Sequence, residues 1–381
     1  MTKSEKRKEK MSEKMVREKI ANAFLNLADA IESGSFQEKP LIGIAVSGTE
    51  HGLDNIREGV RIAEARGFKA VIIDGEDSHK RMEEMLENGE IQGAVTMHYP
   101  FPIGVSTIGR VVTPGRGKEM FLAATTGTSA TERVEAMVRN AVYGIIAAKA
   151  CGISKPTVGI ANIDGARQTE KILKKLSEQG YEICFAESSR ADGGVVMRGN
   201  DLLEGTADVM VMDALTGNLM MKIFSAYTTG GQFESLGFGY GPGVGENYHK
   251  TILIVSRASG APVIAGAIQY AAELLDGNFY AVCDEEFKKA QQAGLEDLLC
   301  ELKNEKNDSK DNKKVAMPPK ETVTHEIHGI EVVDLEDAAA ALWDKEIYAE
   351  TGMGCTGPVI LVNDNKASLA RQILTEKGYI A

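Results

Sequence analysis

The sequence predicts an α/β protein: a mainly parallel sheet with helices on both faces, in two subdomains, followed by a small C-terminal appendage. Three observations predict it. Short apolar runs alternate with stretches of helical length from Leu41 to Leu275, the mark of repeated strand–helix units. The alternation restarts at Lys155-Pro156. A run of Lys, Glu, Asp and Asn from Glu301 to Lys314, closed by Pro318-Pro319, separates the last part of the chain.

Taken in order, residues 3–19 are dense in Lys, Arg and Glu. Met11, Met15, Ile20, Phe24, Leu27 and Ile31 recur at helical spacing. This predicts one amphipathic helix over 1–34, ending at Gly34. Its apolar face either covers its own domain or docks a partner subunit. An α/β domain follows over 35–300. Its expected strands are Leu41–Val46, Ala70–Asp74, Gly93–His98, Phe121–Ala124, Thr157–Ile163, Tyr181–Phe185, Asp208–Asp213 and Thr251–Val255. Its expected helices are Gly52–Arg66, Ala130–Lys149 with Ser129 as N-cap, Gln168–Gln179, one from about Leu219, and Val263–Leu275. Tyr99–Gly104 and Gly230–Gly245 read as loops. Residues 301–320 read as a charged, solvated linker, and 321–381 as an appendage of roughly helix, strand and helix.

Composition narrows the function. The chain has 381 residues, 43% hydrophobic and 26% charged, which suits a soluble globular protein with proper cores. A net charge of −12 argues against nucleic acid as a partner. Five cysteines, odd in number and scattered, make no disulfide framework and point to a reducing, cytoplasmic setting. No leader is expected, and no run reaches the ~18 apolar residues of a membrane span.

In such sheets ligands bind at the C-terminal ends of strands. Two strand ends stand out. Asp213-Ala214-Leu215-Thr216-Gly217-Asn218 is followed by Lys222, one helical turn beyond Asn218. Gly217 allows a sharp turn, and Asn218 is placed to cap the helix while donating to an anion. A helix N-terminus with an added ammonium suits an anion, and an ordinary capped helix fits equally well. The second end is Ser256-Arg257-Ala258-Ser259-Gly260, where a guanidinium and two hydroxyls near a helix start suit phosphate. Asp74, His98 and the turn at 126–129 also end strands and read as local caps. His325 and His328 read as surface residues of the linker region. No dinucleotide fingerprint, no phosphate-binding Walker loop and no metal-ligand spacing is present, so no metal is expected.

Thr351-Gly352-Met353-Gly354-Cys355-Thr356-Gly357-Pro358 precedes the apolar run 359–362. Cys355 is expected on a glycine-rich bend just ahead of a strand. Little side-chain bulk surrounds the sulfur, and amides in such a bend lower a thiol pKa and hold an oxyanion. A small buried thiol beside a tight turn is the other reading.

These residues carry a resemblance. The 213–218 stretch with Lys222 resembles the matching element of PlsX-type phosphate acyltransferases and phosphotransacetylases. Ser256-Arg257 resembles the Ser-Arg with which phosphotransacetylases bind phosphate. Over 93–275 the similarity to that superfamily is broad and implies its isocitrate-dehydrogenase-like α/β fold. With the linker and the 351–358 stretch included, the chain more closely resembles the component C family of glycine/sarcosine/betaine reductases. That resemblance implies an acyltransferase within a reductase complex, making acetyl phosphate from an acyl group delivered by selenoprotein component A. It implies a beta subunit of component C as a further partner and inorganic phosphate as substrate, with no cofactor. The acetyl group is implied to pass through a cysteine thioester, and Cys355 is the residue that fits. Asn218, Lys222, Ser256, Arg257 and Ser259 are the implied phosphate ligands. One departure concerns the aspartate with which phosphotransacetylases deprotonate coenzyme A. It would fall near Val263, after Pro262, and no acid stands there. Two alternatives remain: an acyl carrier protein:phosphate acyltransferase of the PlsX type, and a non-catalytic scaffold subunit.

Overall fold

Short, fully buried strands dominate the first part of the chain. Ile42, Ile44 and Ala45 have almost no exposed surface, and neither have Ala94, Val95, Val209, Met210 and Val211. Such runs show no alternation because both faces of the sheet are covered. The protein is described here by a computed structural model covering residues 39–75, 77–189, 193–302, 317–328, 330, 335–354, 357–377 and 379–380. The helix expected over 1–34, residues 303–316 of the expected linker, and Cys355 lie outside the described residues. The chain divides into two units, 1–294 and 295–381.

The first unit runs β1 (Leu41–Ala45), α1 (Gly52–Ala65), β2 (Lys69–Ile73), α2 (Ser78–Glu87), β3 (Gly93–Thr96), β4 (Val105–Val112) and β5 (Glu119–Thr128). Next come α3 (Arg133–Ala150), β6 (Thr157–Ala161), α4 (Ala166–Glu178), β7 (Cys184–Phe185), β8 (Val196–Met197), α5 (Gly199–Glu204) and β9 (Val209–Val211). It closes with α6 (Ala214–Ala226), β10 (Gly241–Val244), β11 (Ile252–Ile254), α7 (Ala261–Asp276) and α8 (Phe279–Gln292). The strands form one sheet in the order β2-β1-β3-β11-β10-β4-β5-β9-β6-β7, with β8 paired to β6. Pairing is parallel in both flanks, and helices cover both faces. The antiparallel pairings, β11–β10, β10–β4 and β4–β5, are consecutive at the centre. Helix α1 buries Ile56, Gly59, Val60 and Ala63, one stripe at helical spacing, against α7. A side chain at Gly59 would come within 2.7 Å of Ile264, so glycine sets how closely the two helices pack.

Several expectations are corrected. Strand β4 is not among the expected strands, because Ser106, Thr107 and Arg110 interrupt its apolar residues. All three are buried, and tertiary partners satisfy them. Ser106 donates to Asn140 at 2.9 Å, and Thr107 pairs with Thr125 at 2.8 Å. Arg110 pairs with Glu119 and Glu273 and lies 4.2 Å from the Phe238 ring centre. Strand β5 runs on to Thr128, through most of the turn expected at 126–129. Helix α3 is capped by the Glu132 carboxylate, which accepts from Glu135 N, and not by Ser129. The Ser129 hydroxyl instead donates to Asn140 at 2.7 Å. Strand β10 lies within the expected glycine-rich loop, held antiparallel between β11 and β4.

The second unit contains β12 (His325–His328), α9 (Leu335–Trp343), β13 (Ala349–Gly354), β14 (Gly357–Val362) and α10 (Ala367–Glu376). It is a three-stranded antiparallel sheet in the order β12-β14-β13, not the helix–strand–helix expected. Ile327, Ile360, Val362, Ala338, Leu342 and Leu374 form its core. His325 belongs to β12 rather than to a linker, and its Nδ1 lies 3.6 Å from Asp364. Residues 351–354, expected to belong to a glycine-rich bend, are part of strand β13, which pairs with β14 from Ala349↔Val362 to Gly354↔Gly357.

One carboxylate anchors the first unit's loop before α5. Asp201 accepts from Ser188 Oγ (2.7 Å), Ser189 N and Oγ (both 2.8 Å), Arg198 N (2.9 Å) and Thr206 Oγ1 (3.2 Å). Burial alone would raise its pKa. The donors from Ser189, Ser188 and Arg198 outweigh it and hold the carboxyl at about 2. A depressed carboxyl contributes stability above its unfolded value, and that contribution is lost as pH falls through the folded one. Asp201→Asn is therefore expected to lower stability by about 2 kcal/mol at pH 7. Urea unfolding over a pH series should show the gap between the two proteins narrowing below about pH 4.

Candidate functional site

A cavity of about 290 Å³ opens where both flanks of the sheet contribute residues. Met97 and His98 come from the end of β3, Tyr99 and Phe101 from the loop after it, and Thr126 from β5. Asn218 and Lys222 come from α6, Tyr240 from the approach to β10, and Ile254, Val255 and Ser256 from the end of β11. Tyr99 and Phe101 pack against the apolar clusters of both flanks. The loop Tyr99–Gly104 is therefore part of the wall. Glycine at 243 makes room for it, since a side chain there would meet the Phe101 ring at 2.4 Å.

Helix α6 brings Asn218 and Lys222 to this place. It starts at Ala214, earlier than expected, and Asp213 is its N-cap. The Asp213 carboxylate accepts from Leu215 N at 3.0 Å, Thr216 N at 2.9 Å and the Thr216 hydroxyl at 2.8 Å. Asn218 is thus inside the helix and does not cap it, and two first-turn amides are already bonded. The anion site expected at this helix N-terminus is instead a side-chain site one turn further on. Gly217 does not make a turn either. A Cβ there would lie 1.7 Å from the carbonyl oxygen of Ala124, so glycine lets α6 lie directly on β5. That approach allows Asn218 Nδ2 to donate to Thr125 O at 3.1 Å.

Lys222 and the turn after β11 meet over a buried carboxylate that sequence reasoning missed. Glu234 has no exposed surface. Its Oε1 accepts from Lys222 Nζ at 2.7 Å and from the Tyr240 hydroxyl at 3.1 Å. Its Oε2 accepts from Ser259 Oγ at 2.7 Å. Burial, and then the Glu234 charge, push the Tyr240 phenol well above its ordinary pKa, so it stays protonated and donates. Lys222 Nζ also reaches Ser256 Oγ at 2.7 Å. Within the turn, Ser256 N donates to Ser259 Oγ at 3.0 Å, and Ala258 N donates to Ser256 Oγ at 3.1 Å. Asn55 of α1 braces the turn, accepting from Ala261 N at 2.8 Å and donating to Ser259 O at 3.0 Å.

Of the residues singled out in the sequence, Asn218, Lys222 and Ser256 line one cavity. Ser259 is buried beneath it, its hydroxyl bonded to Glu234. Arg257 is exposed beside Gly48, and its guanidinium has no partner among the described residues. A Cβ on Gly48 would stand in ordinary contact with both Arg257 Nε, at 3.5 Å, and Met97 Cβ, at 3.9 Å, so Gly48 lies between the guanidinium and a residue of the cavity wall. Cys355 lies outside the described residues. Val263 is fully buried in α7, so no acid faces the cavity from that position. Nothing near Glu234 in the sequence, Gly-Gly-Gln-Phe-Glu-Ser, distinguishes it from a surface acid. Its burial comes from contacts with Ser259 and Lys222, which are distant in sequence.

Among the described residues, no cluster of His, Cys, Asp and Glu could hold a metal ion, and no helix is long and apolar enough to cross a membrane. Residues 42–361 match the family described as fatty acid synthesis protein. The glycine/sarcosine/betaine reductase complex component C subunit alpha of Peptoclostridium acidaminophilum is 56% identical over 382 residues, 96% of this chain and 99% of that protein. A phosphate acyltransferase of Lysinibacillus sphaericus (strain C3-41) is 35% identical over 117 residues, 30% of this chain and 34% of its own. A phosphate acyltransferase of Bacillus licheniformis is 24% identical over 219 residues, 51% of this chain and 63% of its own. The chain belongs to the fatty acid synthesis protein family and, within it, to the alpha subunits of component C of glycine/sarcosine/betaine reductase complexes.

Proposed function

We propose that the chain transfers an acetyl group to inorganic phosphate by phosphorolysis of an acetyl-Cys355 thioester, within the glycine/sarcosine/betaine reductase complex. The observation that carries the reading is the group of donors in the cavity: the Lys222 ammonium, the Ser256 hydroxyl and the Asn218 amide, with the Arg257 guanidinium close by. Together they suit a phosphate dianion. A phosphate oxygen attacks the thioester carbonyl carbon. The C–O bond forms, the carbonyl becomes a tetrahedral oxyanion, and the C–S bond breaks. The electron pair leaves with sulfur as a thiolate, and acetyl phosphate is released. Ser259 serves this site from beneath and does not touch the ligand. The acyl donor in this reading is selenoprotein component A, and the beta subunit of component C is the stable partner. The identity to a component C alpha subunit supports this over a PlsX-type reaction with an acyl carrier protein, because it spans nearly the whole chain.

The covalent intermediate gives the test. Incubation of the chain with acetyl phosphate should add one acetyl mass, mapped by peptide analysis to the segment holding Cys355, and inorganic phosphate should remove it. A chain that gains no acetyl group while still exchanging phosphate into acetyl phosphate would sink the thioester route.

A further inference from the structure

We infer that Glu234 is a positioning residue: it sets the direction of the hydrogen bonds behind the cavity wall, so that Lys222 and Ser256 present donors to the bound anion. This rests on the reading of the cavity as a phosphate site. An ionised carboxylate only accepts, and Glu234 accepts three bonds, from Lys222, Tyr240 and Ser259. Because the Ser259 hydrogen goes to Glu234, its oxygen is left to accept Ser256 N. Ser256 Oγ accepts from both Lys222 Nζ and Ala258 N, which fills its two lone pairs and leaves its hydrogen to donate outward. Lys222 has three N–H bonds. Glu234 and Ser256 take two, and the third remains for a ligand.

The same arrangement explains why an acid lies beneath an anion site. The Lys222–Glu234 pair is neutral as a unit, so net attraction for phosphate falls to Arg257, while the pair supplies direction. A glutamine at 234 has nearly the same shape but one acceptor oxygen and two N–H donors. Turned one way, its amide nitrogen faces the Lys222 ammonium. Turned the other way, it faces Ser259, whose hydrogen is left with no acceptor. Either way part of the set behind the cavity wall is lost: the acceptor for Lys222 and Tyr240 in the first orientation, the acceptor for Ser259 in the second.

The test is calorimetric titration of the full chain with inorganic phosphate, alongside thermal melting. Glu234→Gln should weaken phosphate binding about tenfold or more, and Ser259→Ala about threefold. Asp201→Asn, remote from the cavity, should lower the melting temperature and leave phosphate affinity unchanged, which separates positioning from general destabilisation. Glu234 and Lys222 should also be coupled, with Glu234→Gln/Lys222→Gln binding no worse than the weaker single variant. Wild-type affinity in Glu234→Gln, or additive effects in the double variant, overturns the inference alone. If Glu234→Gln does not fold, unchanged affinity in Ser259→Ala overturns it. Failure of the wild type to bind phosphate at all overturns the reading of the cavity, and the inference with it.

Discussion

Cys355→Ser is expected to abolish acetyl phosphate formation in the complex and arsenate-driven breakdown of acetyl phosphate by this chain, each by about 10³-fold or more. The swap nearly preserves side-chain size. It replaces a thiol of ordinary pKa ~8.5 with a hydroxyl that stays protonated at neutral pH and leaves poorly as an alkoxide. The other cysteines are the controls. Burial pushes the Cys151 and Cys283 thiols up to about 12, so both remain protonated at neutral pH and are weak nucleophiles. Cys184 is half-buried in β7, and Cys300 is exposed. Substituting any of these four should leave turnover close to wild type. Should Cys355→Ser keep normal arsenolysis while one of the others loses it, the nucleophile has been misassigned. If no cysteine matters, the reaction does not pass through a thioester.

Arg257→Ala is expected to raise the KM for phosphate and for arsenate 10- to 100-fold, the range for losing a charge-assisted, bidentate contact worth roughly 1.5–3 kcal/mol. The structure makes this a clean experiment. The guanidinium is exposed and pairs with no described residue, so its loss should change folding stability by no more than about 0.5 kcal/mol. Lys222 offers no such separation, because removing it strands the buried Glu234 carboxylate. Arg257→Lys should recover part of the loss, since an ammonium keeps the charge but not the fork. Equal phosphate dependence in Arg257→Ala and wild type, at matched melting temperature, would remove Arg257 from the site.

The sequence by itself determined the α/β class, the flanking strands and the main helices. These elements declare themselves locally, through continuous apolar runs such as 41–45 and 209–211 and through stripes such as Ile56, Val60 and Ala63. It also marked Asn218, Lys222 and Ser256, because unusual polar residues at strand ends are visible without a fold. The antiparallel centre of the sheet was hidden. Strands β4 and β10 contain Gly, Pro, Ser and Arg, which are poor strand signals alone. They hold only because neighbouring strands and side-chain partners such as the buried Asn140 and the more exposed Glu119 complete their hydrogen bonds. Helix α6 began early for a similar reason: Asp213 supplies the cap, and glycine at 217 lets the helix lie on β5, a close approach that no local pattern encodes. Only the tertiary structure decided that Glu234 organises the cavity. A carboxylate in a glycine-rich loop looks solvated until residues 12 and 25 positions away close over it. Burial of a charge is affordable only once all its partners are assembled together, and that is a property of the folded whole.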